Sequence, residues 1–296
     1  NWVLDADIQG FFDEIDRDWL FKFLEHRIGD HRIIRLIRKW LNAGIIEDTE
    51  WSDTGKGTPQ GAVLSPLLAN VFLHYVFDQW IHQWRKRHCK GQCIVVRYAD
   101  DFVIGFETET DARTCLNALK ERLHTFGLTL HPAKTRLIEF GRDSAAQRQR
   151  DGRGRCETFD FLGFTHICGK TRKNKCFTVW RRTMAKRMSR TLAALKEQLR
   201  RRRHDPIGQT GRWLASVLRG WLQYHAVPNN MRRLTQFVKE VIKLWRHQLR
   251  RRSQRGYAAW PWSRMERVVK RYLPTPRILH PYPQNRFRAR LAARAV

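Results

Sequence analysis

Acid is what this chain runs short of. Only four of its 28 aspartates and glutamates lie after residue 169, where residues 170–296 carry 34 lysines and arginines and a net charge of +30. Residues 1–169 hold 23 basic and 24 acidic side chains, a net charge of −1. The first part therefore has the balance of a folded enzyme core. The second repels cationic partners and calls for a polyanion, nucleic acid first among them. Cysteine is sparse as well. Six (Cys89, Cys93, Cys115, Cys156, Cys168, Cys176) are scattered, and no second Cys/His pair of finger-like spacing follows Cys89 and Cys93. That argues against structural zinc and for free thiols in a reducing compartment. Long apolar runs are missing too. The longest, Ala62 to Phe77, is broken by Pro66 and His74 and is too short for a bilayer, and no signal peptide is recognisable. We expect a cytoplasmic protein with no membrane attachment.

What is present is a set of carboxylates at strand ends. Trp2-Val3-Leu4 predicts a strand, and Asp5 and Asp7, two apart, face one side of it. Asp100 and Asp101 lie at the tip of a predicted hairpin over about Cys93 to Phe106. Adjacent like charges in a tight turn add no stability, so a divalent cation is the natural partner. Asp16 is placed to cap a helix from about Arg17 to Arg27, and His31 to Leu41 has the apolar period of another. Gly55 to Gly61 is turn-rich, and Ser65-Pro66 predicts the N-cap and first turn of a helix to about Arg85. Thr110 or Asp111 caps a helix to about Phe126, and residues 141–155 predict a flexible polar loop. Thr158 to His166 and Cys176 to Trp180 predict a hairpin. From Ala185 onward three amphipathic helices follow, with apolar faces at Met188/Leu192/Leu195/Leu199, Trp213/Val217/Trp221/Tyr224 and Leu234/Phe237/Val241/Trp245.

Two carboxylate clusters on separate rigid elements suit nucleotidyl transfer, in which two Mg²⁺ ions roughly 4 Å apart neutralise and align phosphates. Singly, either cluster is explained as well by a solvated strand end or an acidic turn. The surrounding residues narrow the choice. Val3-Leu4-Asp5-Ala6-Asp7-Ile8-Gln9-Gly10-Phe11-Phe12-Asp13, Gly57-Thr58-Pro59-Gln60-Gly61, Leu64 to Asn70, Val96-Arg97-Tyr98-Ala99-Asp100-Asp101-Phe102, Gly127 to Leu130 with Lys134-Thr135, and Phe161-Leu162-Gly163-Phe164 occur in order. Over residues 2–166 the chain resembles the reverse transcriptases of mobile group II introns. Leu218 to Tyr224 with Leu244-Trp245-Arg246 is similar to their maturase helices.

The resemblance implies an α+β fold: a polymerase palm, an antiparallel sheet backed by helices, over 1–168, then an all-α thumb/maturase bundle over 169–255. A basic tail, a short DNA-binding region, follows over 256–296. It implies RNA-directed DNA synthesis with two Mg²⁺ ions, Mn²⁺ being the substitute. Catalysis would fall to Asp7, Asp100, Asp101 and Lys134, with metal bound by the three acids and the Ile8 carbonyl. Phe12 would exclude a ribose 2′-OH, and Pro59, Gln60 and Gly61 would border nucleotide and template. Phe161, Leu162 and Gly163 would form the primer grip. A buried hairpin explains the last three as well, and a solvated side chain explains Lys134. Nucleic acid would be held by Lys186, Arg187, Arg190, Arg200, Arg201, Arg202, Arg203, Arg212 and Arg219. Trp221 and Tyr224 are expected in the core. The implied partners are group II intron RNA, RNA template with DNA primer, dNTPs and target DNA, and a dimer is compatible. The implied location is the bacterial cytoplasm, with nucleoid association during work on DNA. The family's fingers region precedes the Asp7 strand, and this sequence starts six residues before Asp7, so we expect a palm and thumb without fingers and without an endonuclease module. The rival readings are a non-catalytic RNA-binding splicing factor and a reverse transcriptase recruited to phage defence or CRISPR adaptation.

Overall fold

The structure is a computed structural model and describes residues 1–42, 45–47, 50–52, 57–58, 64–171 and 174–282. Pro59, Gln60 and Gly61 lie outside the described residues. The chain divides into two compact units, Asn1–Phe161 and Leu162–Val296. That division falls earlier than 168/169, because the backbone turns sharply at Leu162 and Gly163, both at positive φ, and the hairpin after them goes with the helices.

In the first unit β1 (Trp2–Ala6) leads through Gln9 and Gly10 into α1 (Phe11–Glu14), α2 (Arg17–Glu25) and α3 (His31–Asn42). Asp16 caps α2 as expected, accepting from Trp19 N at 3.0 Å. A short antiparallel pair follows, β2 (Ile45–Glu47) with β3 (Glu50–Ser52). The long helix after Pro66 is not continuous. It runs as α4 (Ser65–Leu73), a π-helical turn (His74–Asp78) and α5 (Gln79–His88), and Leu64 rather than Ser65 holds the N-cap position. The hairpin β4 (Cys93–Tyr98) and β5 (Asp101–Phe106) lies as expected. α6 (Glu109–His124) is capped by Thr108, which accepts from Asp111 N. Asp111 is instead buried and accepts from the Lys90 and Gly91 amides. β6 (Arg136–Glu139), α7 (Arg142–Arg150) and β7 (Phe159–Phe161) complete the unit.

The four-stranded sheet has the order β4-β5-β1-β6, with every pair antiparallel. Period-two alternation sends Leu4, Ala6, Phe102, Ile104 and Phe106 into one core with Phe72, Phe77, Leu119 and Leu123 from the helices. Asp5 and Asp7 take the opposite phase. Phe72 and Phe77 are fully buried, and truncating either to alanine should cost about 3–5 kcal/mol. The loop expected at 141–155 is a helix in its first part. Nothing in α7 is buried. It is tied down by Arg148 on Glu139 at 2.7 Å and by Asn1, whose side-chain oxygen accepts from Asp143 N.

In the second unit β8 (Phe164–Lys170) pairs antiparallel with β9 (Phe177–Thr183). Three helices follow, α8 (Ala185–Arg201), α9 (Ile207–His225) and α10 (Met231–Arg250). Their facing stripes meet around Leu214, Leu218, Leu234, Phe237, Val241 and Trp245. The segment from 256 is not merely a tail. After α11 (Gly256–Ala259), α12 (Trp262–Tyr272) places Met265 in the same core with Trp260 and Leu273. The chain then returns to α9, with Leu279 N donating to Ala226 O. Among the described residues no helix is long and apolar enough to cross a membrane.

Candidate active site

The acids are positioned by backbone pairing. Leu4, Asp5 and Ala6 lie opposite Ile104, Val103 and Phe102. The same register carries Asp7 toward Asp101 at the foot of β5. Asp7 is held on its other side, where its carbonyl accepts from His131 N at 2.8 Å and Ile8 bridges to Leu130. The hairpin turn is two residues long, Ala99 and Asp100, because Tyr98 pairs with Asp101. Such tight turns need positive φ, and Ala99 adopts φ 55°.

That strained tip has a clamp, which the sequence reading missed. Arg97 Nη1 donates to the Ala99 carbonyl at 2.7 Å and to Asn70 Oδ1 at 2.9 Å. Its Nε and Nη2 take the two oxygens of Asp78 at 2.7 and 2.5 Å. Asp78 is the last residue of the π-helical turn, a widening of the helix often found at functional sites. Thus Asn70 from one motif and Arg97 from another together fix the loop that presents Asp100 and Asp101.

A cavity of about 360 Å³ opens beside the acids, lined by Asp5, Asp7, Asp101, Lys134, Arg136 and Asp160 among others. Lys134 Nζ lies 2.6 Å from Asp7 Oδ2. Arg136 Nη2 lies 3.2 Å from Asp5 Oδ2 and also reaches the Thr158 carbonyl. Burial pushes the Asp5 carboxyl above the usual range despite Arg136, and the charges of Asp160 and Asp7 add to the rise. Burial also raises Asp101, helped by Asp100, Asp7 and Asp5. The hydrogen bond to Asp7, then its charge, raises Lys134 further above the ordinary ammonium value. Burial is thus the main cause of both raised carboxyls, and the neighbouring negative charges are a smaller one.

The expected site residues are therefore brought together in part. Asp7, Asp101 and Lys134 share the cavity, whereas Asp100 sits half-buried at the turn and is not part of that lining. Among the described residues no three carboxyl, imidazole or thiol groups converge on one point as they stand. The donors are hard carboxylate oxygens of the kind Mg²⁺ takes, and one of them is engaged by Lys134. Phe12 is half-buried and packs edge-on to Phe11 at 5.3 Å. Its carbonyl accepts from Thr58 N at 2.7 Å. Gly57, at φ 77°, leaves no room for a Cβ, which would stand 2.7 Å from the carbonyl oxygens of Phe12 and Asp13. The glycine is thus required where the Gly57-Thr58 loop meets the Phe12 segment. Sequence reasoning did not find Arg136 or Asp160, which line the cavity from other elements.

In the second unit Leu162 and Gly163 form a turn, with φ 49° and 76°. Tyr224 Oη donates to the Leu162 carbonyl at 2.7 Å, and the Arg187 guanidinium lies against Gly163 and over the Tyr224 ring. Tyr224 is exposed at one side, while Trp221 is core, stacked on Phe237 at 3.7 Å. Of the nine basic residues expected to hold nucleic acid, Lys186, Arg187, Arg190, Arg212 and Arg219 are exposed. Arg200 and Arg201 are exposed but share Glu197. Arg202 and Arg203 are half-buried, one over the Trp213 ring and one bonded to Gln248, so their first role is packing.

Acids at the end of β1 and the foot of β5, with Lys134 bonded to Asp7, are the kind of grouping that phosphoryl or nucleotidyl transfer uses. Residues 1–166 match the reverse transcriptase (RNA-dependent DNA polymerase) family. The chain belongs to that family. It is 41% identical over 87 residues to the group II intron-encoded protein LtrA of Lactococcus lactis subsp. cremoris, covering 29% of this chain and 14% of that protein. It is 24% identical over 316 residues to an uncharacterized 91 kDa protein in the cob intron of Schizosaccharomyces pombe, covering 82% and 37%. Protein YkfC of Escherichia coli is 30% identical over 168 residues, covering 46% and 43%. The chain thus spans less than half the length of these relatives.

Proposed function

We propose that this chain carries the catalytic palm and the RNA-gripping thumb of an RNA-directed DNA polymerase encoded by a group II intron. It adds dNTPs to a primer on an RNA template and binds the intron RNA to assist its splicing. The observation that carries the proposal is the cavity shared by Asp7, Asp101 and Lys134 in a chain of the reverse transcriptase family. Mg²⁺, with Mn²⁺ as substitute, would be held by Asp7 and Asp101 with Asp100 and the Ile8 carbonyl in support. When bound, it neutralises the triphosphate and lowers the pKa of the primer 3′-hydroxyl.

The protein's own groups do the rest. Arg97 and Asn70 keep the acid-bearing turn rigid, so little reorganisation is needed at the moment of reaction. Lys134, held protonated, keeps a cation beside the phosphates and would supply a proton to the leaving pyrophosphate. Phe12, with Pro59, Gln60 and Gly61, borders the incoming sugar and the template base, selecting deoxynucleotides. Phe161, Leu162 and Gly163 hold the primer end, and the exposed Lys186, Arg187, Arg190, Arg212 and Arg219 contact phosphates. In the complete reading frame that carries this chain, Asp101→Ala should abolish Mg²⁺-dependent extension of a DNA primer on RNA while RNA affinity survives. Extension by Asp101→Ala at the wild-type rate would refute the assignment.

A further inference from the structure

A second cavity, of about 300 Å³, lies in the second unit and has no place in the site above. It is lined by Arg182, Asn229, Arg232, Arg233 and Gln236. Three arginines line it, and no carboxylate is part of the lining. Only Glu197, Asp205, Glu240 and Glu266 are acidic after residue 169, and Glu197 and Glu240 already pair with Arg200, Arg201 and Lys243.

The backbone segments that carry the arginines are tied together. Asn230 is wholly buried. Its Oδ1 accepts from Thr183 N at 3.0 Å, and its Nδ2 donates to Thr183 Oγ1 and to the His225 carbonyl, each at 2.8 Å. This one side chain ties the end of β9, which carries Arg182, to the start of α10, which carries Arg232 and Arg233. Arg182 stacks over Trp180 at 4.8 Å, and Arg233 Nη1 donates to Gln236 Oε1 at 3.0 Å. Arg232 is exposed, so a ligand can reach the group from solvent.

The electrostatics run against the usual rule. The first turn of a helix favours acids, because its free amides carry partial positive charge. Here the first turn of a 20-residue helix has no acid and two arginines instead. Two arginines on the positive end of a helix, with Arg182 of β9 lining the same cavity, are a like-charged group whose repulsion an anion would offset.

We propose that this cavity is a binding site for one backbone phosphate of a nucleic-acid strand. Planar guanidinium forks bind phosphate bidentately, and a frame fixed by Asn230 adds little ordering cost to binding. The proposal rests on the nucleic-acid-binding reading of the second unit and gives it a defined contact point.

The test is the affinity of the full chain for a short fluorescein-labelled RNA hairpin, measured by anisotropy over a salt series. Arg182→Gln and Arg232→Gln should each weaken binding and reduce the slope of log K against log salt by about 1. Arg182→Lys should keep most of the slope, since it keeps the charge. Arg267→Gln, on the exposed face of α12, serves as the comparison for loss of one remote charge. Inorganic phosphate, titrated at constant ionic strength with thermal unfolding as readout, tests a free-phosphate occupant. Stabilisation by phosphate that Arg182→Gln abolishes, with an unchanged RNA slope, overturns the backbone assignment. Wild-type and Arg267→Gln binding matched by both cavity variants overturns the site alone and leaves RNA binding by the unit intact. A flat salt plot for the wild type overturns both.

Discussion

Lys134 Nζ and Asp7 Oδ2 stand 2.6 Å apart although 127 residues separate them in the chain. The contact is built by backbone. In the turn that carries Lys134 the His131 carbonyl accepts from the Lys134 and Thr135 amides, and the His131 amide donates to the Asp7 carbonyl. The lysine therefore occupies the position a divalent cation would contest. Lys134→Ala should raise the affinity of the metal-free chain for Mn²⁺ by roughly two- to five-fold, the range expected for loss of one exposed competing charge. Mn²⁺ titration followed by electron paramagnetic resonance would show it. Equal affinity in wild type and variant would mean that the pair does not guard the site.

Arg97 holds the acid-bearing turn through Asp78, Asn70 and Ala99. Its side chain is only 14% exposed and that of Asp78 33%, so the pair is partly shielded from solvent. Arg97→Ala or Asp78→Ala should each destabilise the first unit by about 2 kcal/mol, short of the cost for a fully buried pair. A double-mutant cycle in urea should return a coupling energy of about 1 kcal/mol or more. Simple additivity of the two would contradict the clamp.

Gly57→Ala places a methyl group against the Phe12 and Asp13 carbonyls at a φ of 77°. The strain should cost roughly 1–3 kcal/mol. It should also disturb discrimination against ribonucleotides if the Phe12 segment lies at the incoming sugar. Comparing dNTP with rNTP incorporation by this variant checks the second point, with no change in selectivity the unfavourable outcome.

His225 is buried, with Nδ1 donating to the Trp221 carbonyl at 2.9 Å and Nε2 left without a partner among the described residues. Burial lowers its pKa, and the nearby Arg187 adds to the effect. The folded state therefore binds the imidazole proton more weakly than the unfolded chain does. Stability is full above the ordinary histidine value of about 6.5 and falls as pH drops below it, by at most about 1.4 kcal/mol per pH unit. Urea unfolding followed by tryptophan fluorescence should show this loss between about pH 7 and pH 5. His225→Gln should flatten it, and an identical pH slope in the variant would assign the loss elsewhere.

Much of the first unit was legible because its chemistry follows period two. Asp5 and Asp7 had to share a face, and Asp100 and Asp101 had to fall at a turn between two apolar strands. The ties between elements were not legible. Arg97 finds Asp78 only because a π turn breaks the helix at His74–Asp78, and no apolar pattern announces such a turn. α7 has no buried residue, so its helicity depends on Glu139 and Asn1, which local composition does not register. In the second unit the stripe of Met265, Val268, Val269 and Tyr272 has helical spacing, but the surrounding Trp, Pro and Arg hid it. The arginine cavity depends on Asn230, whose burial is a tertiary fact.

In the proposed reaction Asp7 and Asp101 form the working centre, and Asp5 is paired with Arg136. Single-nucleotide incorporation on an RNA template, measured for asparagine variants of each acid, tests it most directly. Asp7→Asn and Asp101→Asn should lose about 10³-fold or more in rate, as expected for removing a group that stabilises charge in the transition state. Asp5→Asn should stay within about ten-fold of the wild type, since its partner is a structural arginine. Undiminished incorporation by Asp7→Asn or Asp101→Asn, or a loss at Asp5 equal to theirs, would contradict a centre built on Asp7 and Asp101.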